Sequence, residues 1–153
     1  MSATIALSPA SLNSLGRYSV SRSAICFLVL AYVGCNRQPF DYVPVSGRIT
    51  YEDGTALPVD GTLRLTFYSD APPVDDKLHP RPGTAFPDHN GEFSKAMTMR
   101  PGDGLVPGTH HVTVGYMGRA TKGIVPDEYT LKGQSPIVVD TAHQPFDIKI
   151  PRP

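Results

Sequence analysis

The side chains that could bind metals or transfer protons lie in short, separate groups along the chain. His110 and His111 are adjacent, whereas His79, His89 and His143 stand alone. Successive side chains of a strand point to opposite faces, so His110 and His111 cannot bind one metal ion together. We therefore predict structural roles for the histidines, with one of the adjacent pair half-buried and the other solvated.

Two pairs of acidic residues and one turn sequence resemble parts of calcium sites. Asp75-Asp76 and Asp127-Glu128 supply carboxylates, but a calcium loop needs about six oxygen ligands at ordered spacing. Asp88-x-Asn90-Gly91 begins like such a loop, yet Met97 stands where its closing acid would lie. We predict solvated loop charges at the two pairs, a hairpin turn at 88–91 and no metal site.

The sequence contains no recognisable catalytic pattern. A nucleophile elbow, a Walker-type phosphate loop, an HExxH sequence and a CxxC pair are all absent. The chain has 14 basic and 14 acidic residues, so it lacks the clustered positive charge that nucleic-acid binders use to contact phosphates. These observations predict a protein that is not an enzyme, needs no cofactor and does not bind nucleic acid.

Proline and glycine divide most of the chain into short segments. All but one of the 16 prolines and all but two of the 14 glycines follow Cys35. The longest stretch there without either residue is 62–71, which is at the lower limit for an ordinary helix. The intervals are rich in Val, Ile, Thr, Phe and Tyr, which favour strands. We therefore predict an ordered all-β domain.

Alternation of apolar and polar residues predicts where the strands lie and which face of each strand is buried. Four strands show this alternation clearly. Two others are predicted at 92–99 and 136–140, and an edge strand is predicted at 84–86 within a long surface loop, 71–87. Asp53-Gly54 and Asn90-Gly91 predict hairpin connections. About six to eight strands in this arrangement predict an antiparallel β-sandwich. The predicted core-facing residues are Val43, Val45, Ile49 and Tyr51 in the first strand, Leu63, Leu65 and Phe67 in the second, Val112, Val114 and Tyr116 at 109–117, and Phe146, Ile148 and Ile150 in the last.

Tyr68 is the candidate ligand contact. It projects away from the face formed by Leu63, Leu65 and Phe67, so it could belong to an exposed aromatic platform for a glycan. With the loop 71–87 it would form the site of a carbohydrate- or protein-binding accessory domain.

Residues 1–34 have the composition of an export signal. Arg17 and Arg22 precede an apolar run at 24–33, and no acidic residue occurs in the first 35 positions. As a helix this run would cover roughly 15 Å, about half of the hydrocarbon core of a bilayer, which is too short for an ordinary span. We predict a cleaved signal peptide, with a buried strand or helix of the domain as the alternative.

The pair Gly34-Cys35 resembles the end of a bacterial lipoprotein signal, in which the cysteine is acylated and becomes the new N-terminus. The resemblance implies lipidation of Cys35 and removal of Cys26 with the signal. Residues 35–42 would then be a lipid-anchored linker and 43–153 the β-sandwich domain. The predicted location is the cell membrane or outer membrane, and the alternative is a secreted protein.

Four segments of the remaining chain together resemble one protein family. They are 45–54, 88–93, 101–114 with its Pro-Gly-Asp-Gly and Pro-Gly turns, and 124–129, which precedes Ser135-Pro136. They are similar to the carboxypeptidase-regulatory-like, or transthyretin-like, lipoproteins of planctomycete bacteria. The resemblance covers about residues 43–150. It implies a seven-stranded sandwich of prealbumin or immunoglobulin-like type, exported and lipid-anchored, without known catalysis.

The predicted function is a non-catalytic, lipid-anchored module at the cell envelope with a structural or interaction role. Its partners would be the membrane, through the anchor, and an envelope protein or polysaccharide. An enzyme of transthyretin-like fold, such as a hydroxyisourate hydrolase, is a further alternative. That family ends in Tyr-Arg-Gly-Ser, whereas this chain ends in Ile150-Pro-Arg-Pro153.

Overall fold

The described part of the chain is built almost entirely from strands. The computed structural model describes residues 38–58, 62–118 and 121–153, and Gln38–Pro153 form one compact unit. The predicted signal peptide and Cys35 lie outside the described residues. Within them, the only helix is a short 3₁₀ helix at Asp127–Thr130. The strands are β1 (Gly47–Tyr51), β2 (Thr62–Ser69), β3 (Gly83–Ala85), β4 (Glu92–Phe93), β5 (Ala96–Met97), β6 (Thr109–Met117), β7 (Val138–Asp140) and β8 (Phe146–Ile150).

The strands form two sheets that pack into a β-sandwich. The small sheet has the order β4-β1-β8, and the large sheet has the order β5-β3-β2-β6-β7. The prediction of a purely antiparallel sandwich is wrong in one respect, since β1 and β8 pair in parallel with Gly47 beside Phe146. A parallel neighbour requires a crossover, and here most of the domain lies between the two strands.

The core lies between the sheets, and the predicted alternation is confirmed. Ile49, Phe146 and Ile148 of the small sheet and Leu65, Phe67 and Val112 of the large sheet are all buried. Arg64 and Lys149 at intervening positions are exposed, whereas Thr50 and Thr113, which also occupy intervening positions, are buried. The period of two in the sequence therefore identifies the buried face of each long strand.

Four local predictions, two of hairpins and two of strands, are wrong because the sequence does not show which strands pair. The turns at Asp53-Gly54 and Asn90-Gly91 do connect strands, but each leads from one sheet to the other and neither closes a hairpin. The strand predicted at 92–99 is divided into β4 and β5, which belong to different sheets. The predicted edge strand, β3, is internal because β5 pairs with its free side.

A tight loop between β5 and β6 is held by Asp103. The carboxylate accepts hydrogen bonds from the backbone N–H groups of Thr98, Met99 and Arg100 at 2.7, 2.8 and 2.9 Å. Partial burial acts to raise the pKa of Asp103, but these hydrogen bonds outweigh it, so the pKa is lowered. The ionised carboxylate thus stabilises the loop at neutral pH.

The same loop is joined to the chain before β1. Val43 and Leu105 exchange two backbone hydrogen bonds, of 2.8 and 3.0 Å. Gly104 has φ +100°, and a Cβ atom there would lie 1.9 Å from the Val43 carbonyl oxygen. Only glycine permits both this backbone conformation and this approach.

His110 is a fully buried histidine on the core face of β6. Its side chain is 2% exposed, and its ring packs edge-on to Phe67 with a centroid distance of 6.4 Å. Nε2 lies 2.7 Å from the Val106 carbonyl oxygen and donates to it, whereas Nδ1 has no partner among the described residues. Burial lowers the pKa of His110 and outweighs the hydrogen bond to Val106, which acts to raise it.

Stability is expected to fall as the pH falls below about 6.5, because the unfolded chain then binds a proton at His110 that the folded chain excludes. Above that pH the contribution of this histidine is complete; below it, the loss reaches at most about 1.4 kcal/mol per pH unit. Urea unfolding between about pH 8 and pH 5 measures the slope. His110→Phe should reduce the slope, and His143→Gln, at an exposed position, should not. An unchanged slope in His110→Phe would contradict the assignment.

Candidate functional site

A cleft lies against the outer face of the small sheet. Its volume is about 560 Å³, and β1, β4 and β8 all contribute to its lining. Glu92, Arg48 and Asp147 lie side by side across the three strands, because Arg48 is in register with Glu92 of β4 and Asp147 of β8. Arg48 therefore lies in a row between two acidic residues on the outer face of the sheet.

The turn before β4 completes one side of the cleft. Arg48 donates a hydrogen bond of 3.2 Å from Nε to the Asn90 carbonyl oxygen. Asp88 accepts from the N–H groups of Glu92 and Asn90 at 2.9 and 2.8 Å. The hydrogen bond from Glu92 is the main reason that the pKa of Asp88 is lowered. This carboxylate is thus a weak proton acceptor at neutral pH.

The cleft is equipped to bind polar groups. Three carboxylates and one guanidinium face a space that also adjoins Ser46 and Ser94. Neither serine has a histidine or lysine beside it in the lining of the cleft. The arrangement suits hydrogen bonding to hydroxyl-rich or cationic groups.

The sequence alone does not reveal this row of charges. Alternation along the strand puts Arg48 on the face opposite Ile49, but its two neighbours come from strands distant in the sequence. Only the register of the sheet brings the three side chains together. Alternation along one strand identifies a face, whereas pairing between strands identifies a site.

Tyr68 lies on the outer face of the large sheet, as its position in β2 predicts. It is half-buried, and Nζ of Lys132 lies 4.8 Å from the centroid of its ring. Its neighbour in β6 is His111, which is paired with Asp70 at 3.3 Å. A cation therefore occupies one side of the ring, and a sugar would have to displace Lys132 or use the other side. The ligand contact at Tyr68 stays a prediction.

The other candidate groups remain separate. His110 and His111 point to opposite faces as predicted, although His110 is fully buried. Asp75-Asp76 and Asp127-Glu128 are exposed, as expected for solvated charges. Within 38–58, 62–118 and 121–153, no three metal-ligating side chains come close enough to hold an ion.

A smaller pocket lies where the described chain begins. It has a volume of about 120 Å³, and Phe40 and Tyr42 line it together with Leu78 and Met99. Leu78 and Met99 are 49% and 50% exposed. Burial and the charge of Asp103 raise the pKa of Tyr42, so its hydroxyl group is neutral at physiological pH.

Comparisons with protein-family models, curated proteins and solved structures give no significant match. In the described part of the chain, no helix has the length and apolar character needed to cross a membrane.

Proposed function

We propose that the protein is a lipid-anchored, non-catalytic β-sandwich module of the cell envelope, with a structural or interaction role. The observation that carries the proposal is the position of Cys35, directly after an apolar segment and Gly34 and just before the compact unit. Three residue steps separate Cys35 from Gln38, and even an extended chain spans only about 10 Å over that length. An acyl group on Cys35 would hold the sandwich close to the bilayer surface.

The surface around Gln38 supports this placement. Gln38 itself lines the small pocket with the exposed apolar side chains Leu78 and Met99. Apolar side chains beside a short tether can enter the interfacial region of the membrane, which adds to the affinity of the acyl chains. Several weak contributions together give more durable anchoring than a single acyl chain.

The proposal includes a sandwich of prealbumin type, similar to the carboxypeptidase-regulatory-like lipoproteins. β4 and β5 are separated by only Ser94 and Lys95. If they are counted as one strand that passes between the sheets, the sandwich has seven strands. The parallel pairing of β1 and β8 distinguishes it from a wholly antiparallel sandwich.

The intact mass of the protein purified from a bacterial membrane fraction tests the anchor. We expect a chain that begins at Cys35 and carries the added mass of a diacylglyceryl group. Cys35→Ser should abolish the added mass, and Cys26→Ser should retain it because Cys26 lies within the predicted signal. An unmodified chain in the soluble fraction, or one that retains residues 1–34, would contradict the proposal.

A second candidate function is binding of an envelope polysaccharide or protein. The observation that favours it is the polar cleft with the row of Glu92, Arg48 and Asp147. Affinity electrophoresis in gels containing envelope polysaccharide tests it. Arg48→Ala should lose retention if the cleft binds, Tyr68→Ala should lose it if the outer face of the large sheet binds, and no retention of the unaltered protein would oppose polysaccharide binding.

A further inference from the structure

Strand β8 has one open edge. It is the last strand of the small sheet, and no described strand pairs with its other side. Phe146 donates its N–H to Ser46, and the Ile150 carbonyl accepts from Glu52, so the backbone groups of these residues face β1. Because backbone groups alternate in direction along a strand, those of Asp147 and Lys149 face outwards. A cleft of about 370 Å³ adjoins this edge.

The sequence of β8 and its flanks is self-complementary about Ile148: apolar residues and prolines occupy equivalent positions on both sides, and the two charged residues are opposite in sign. Moving outwards, Asp147 corresponds to Lys149, Phe146 to Ile150, and Pro145 to Pro151. Asp147 and Lys149 are opposite in charge and share the outer face of the sheet, where their charged groups lie 3.4 Å apart. Their side chains are 68% and 55% exposed, so both are available to a partner.

We propose that β8 pairs antiparallel with β8 of a second copy of this chain, about a two-fold axis at Ile148. Asp147 of each copy then lies opposite Lys149 of the other, and these two pairs each form two backbone hydrogen bonds. Two cross-strand ion pairs form on the outer face. The small sheets of the two copies join into one continuous sheet.

The charges and the prolines select this register. If the two-fold axis moves by one residue towards Pro145, Asp147 lies opposite Asp147 of the second copy. If it moves by one residue towards Pro151, Lys149 lies opposite Lys149 of the second copy. Like charges directly opposite each other destabilise a strand pair. Pro145 and Pro151 have no N–H group, so they end the possible ladder on both sides. The register at Ile148 alone combines opposite charges with unobstructed hydrogen bonds.

Charge reversal tests the pairing. The full chain, purified in detergent, is expected to show a concentration-dependent doubling of its protein mass in analytical ultracentrifugation. Asp147→Lys and Lys149→Asp should each weaken self-association by about tenfold or more, since each variant places like charges opposite each other in both pairs. A mixture of the two variants should associate again, because the lysine introduced in one then faces the aspartate introduced in the other. The double variant D147K/K149D restores opposite charges in both pairs and should self-associate as the unaltered protein does.

Controls separate this edge from general charge effects. Lys122→Asp makes the same charge change at an exposed turn outside β8 and should leave association unchanged. Hydrogen exchange should slow at the amides of Asp147 and Lys149 on association. A protein that stays monomeric at millimolar concentration, or a variant mixture that does not associate again, would overturn the proposal. The test does not depend on the lipid anchor, since it uses protein mass and amide exchange rather than membrane binding.

Discussion

Replacing Phe67 by alanine is expected to lower the free energy of unfolding by about 3 to 5 kcal/mol. Phe67 is 0% exposed and belongs to the large sheet. Its ring lies 6.1 Å from the rings of both Phe93 and Phe146, which belong to the small sheet. Truncation would leave a cavity at the contact between the two sheets, so both lose packing.

Urea unfolding at neutral pH measures this effect. Phe67→Leu keeps most of the apolar volume and is expected to cost less than about 2 kcal/mol. Phe86→Ala is the matched surface control, because Phe86 is 39% exposed; its cost should be well below that of the core variant. A loss of less than about 1 kcal/mol in Phe67→Ala would show that this ring does not join the sheets.

Replacing Gly104 by alanine should be comparably damaging, at about 3 kcal/mol or more. The new Cβ atom would lie 1.9 Å from the Val43 carbonyl oxygen and 2.9 Å from the nitrogen of Pro44. Both are backbone atoms, so no side-chain rotation relieves the clash. Either the loop moves and breaks the paired hydrogen bonds of Val43 and Leu105, or the strain remains.

Gly108 provides a matched control for Gly104. It also has a positive φ, +114°, but no heavy atom lies within 4 Å of a Cβ atom built there. Gly108→Ala therefore measures the cost of the backbone conformation alone, about 1 to 2 kcal/mol. The difference between the two variants in thermal or urea unfolding isolates the clash with Val43. Equal losses would show that the loop adapts without cost.

The buried side of each long strand could be predicted from the sequence, whereas the pairing between strands could not. Period-two alternation correctly identified the buried side of β2, β6 and β8. His110 has the same parity as Val112 and Val114, so its complete burial follows from that rule even for a polar residue. Its hydrogen bond to Val106 could not be predicted, because it depends on the path of the preceding loop.

The connections were misassigned because local turn chemistry does not specify which sheet a strand joins. Asn90-Gly91 supplies the same backbone geometry whether the next strand pairs with the last one or crosses the sandwich. Here, Gly91 is also required by proximity, since a Cβ atom would lie 2.1 Å from the Ile49 carbonyl oxygen. The row of charges in the polar cleft could not be predicted for the same reason, since Glu92, Arg48 and Asp147 come together only through the order β4-β1-β8.

The parallel contact between β1 and β8 also determines when the domain can finish folding. Arg152 and Asp53, which form an ion pair beside these strands, are 99 residues apart in the chain. Contacts of such high sequence separation form slowly, because a long loop must close first. During synthesis or export from the N-terminus, Ile49 and Tyr51 stay without their neighbours in β8 until about 100 further residues have emerged. A chain that stops before Phe146 leaves Ile49 and Tyr51 without these neighbours, so we expect it to be a target for chaperones and proteases.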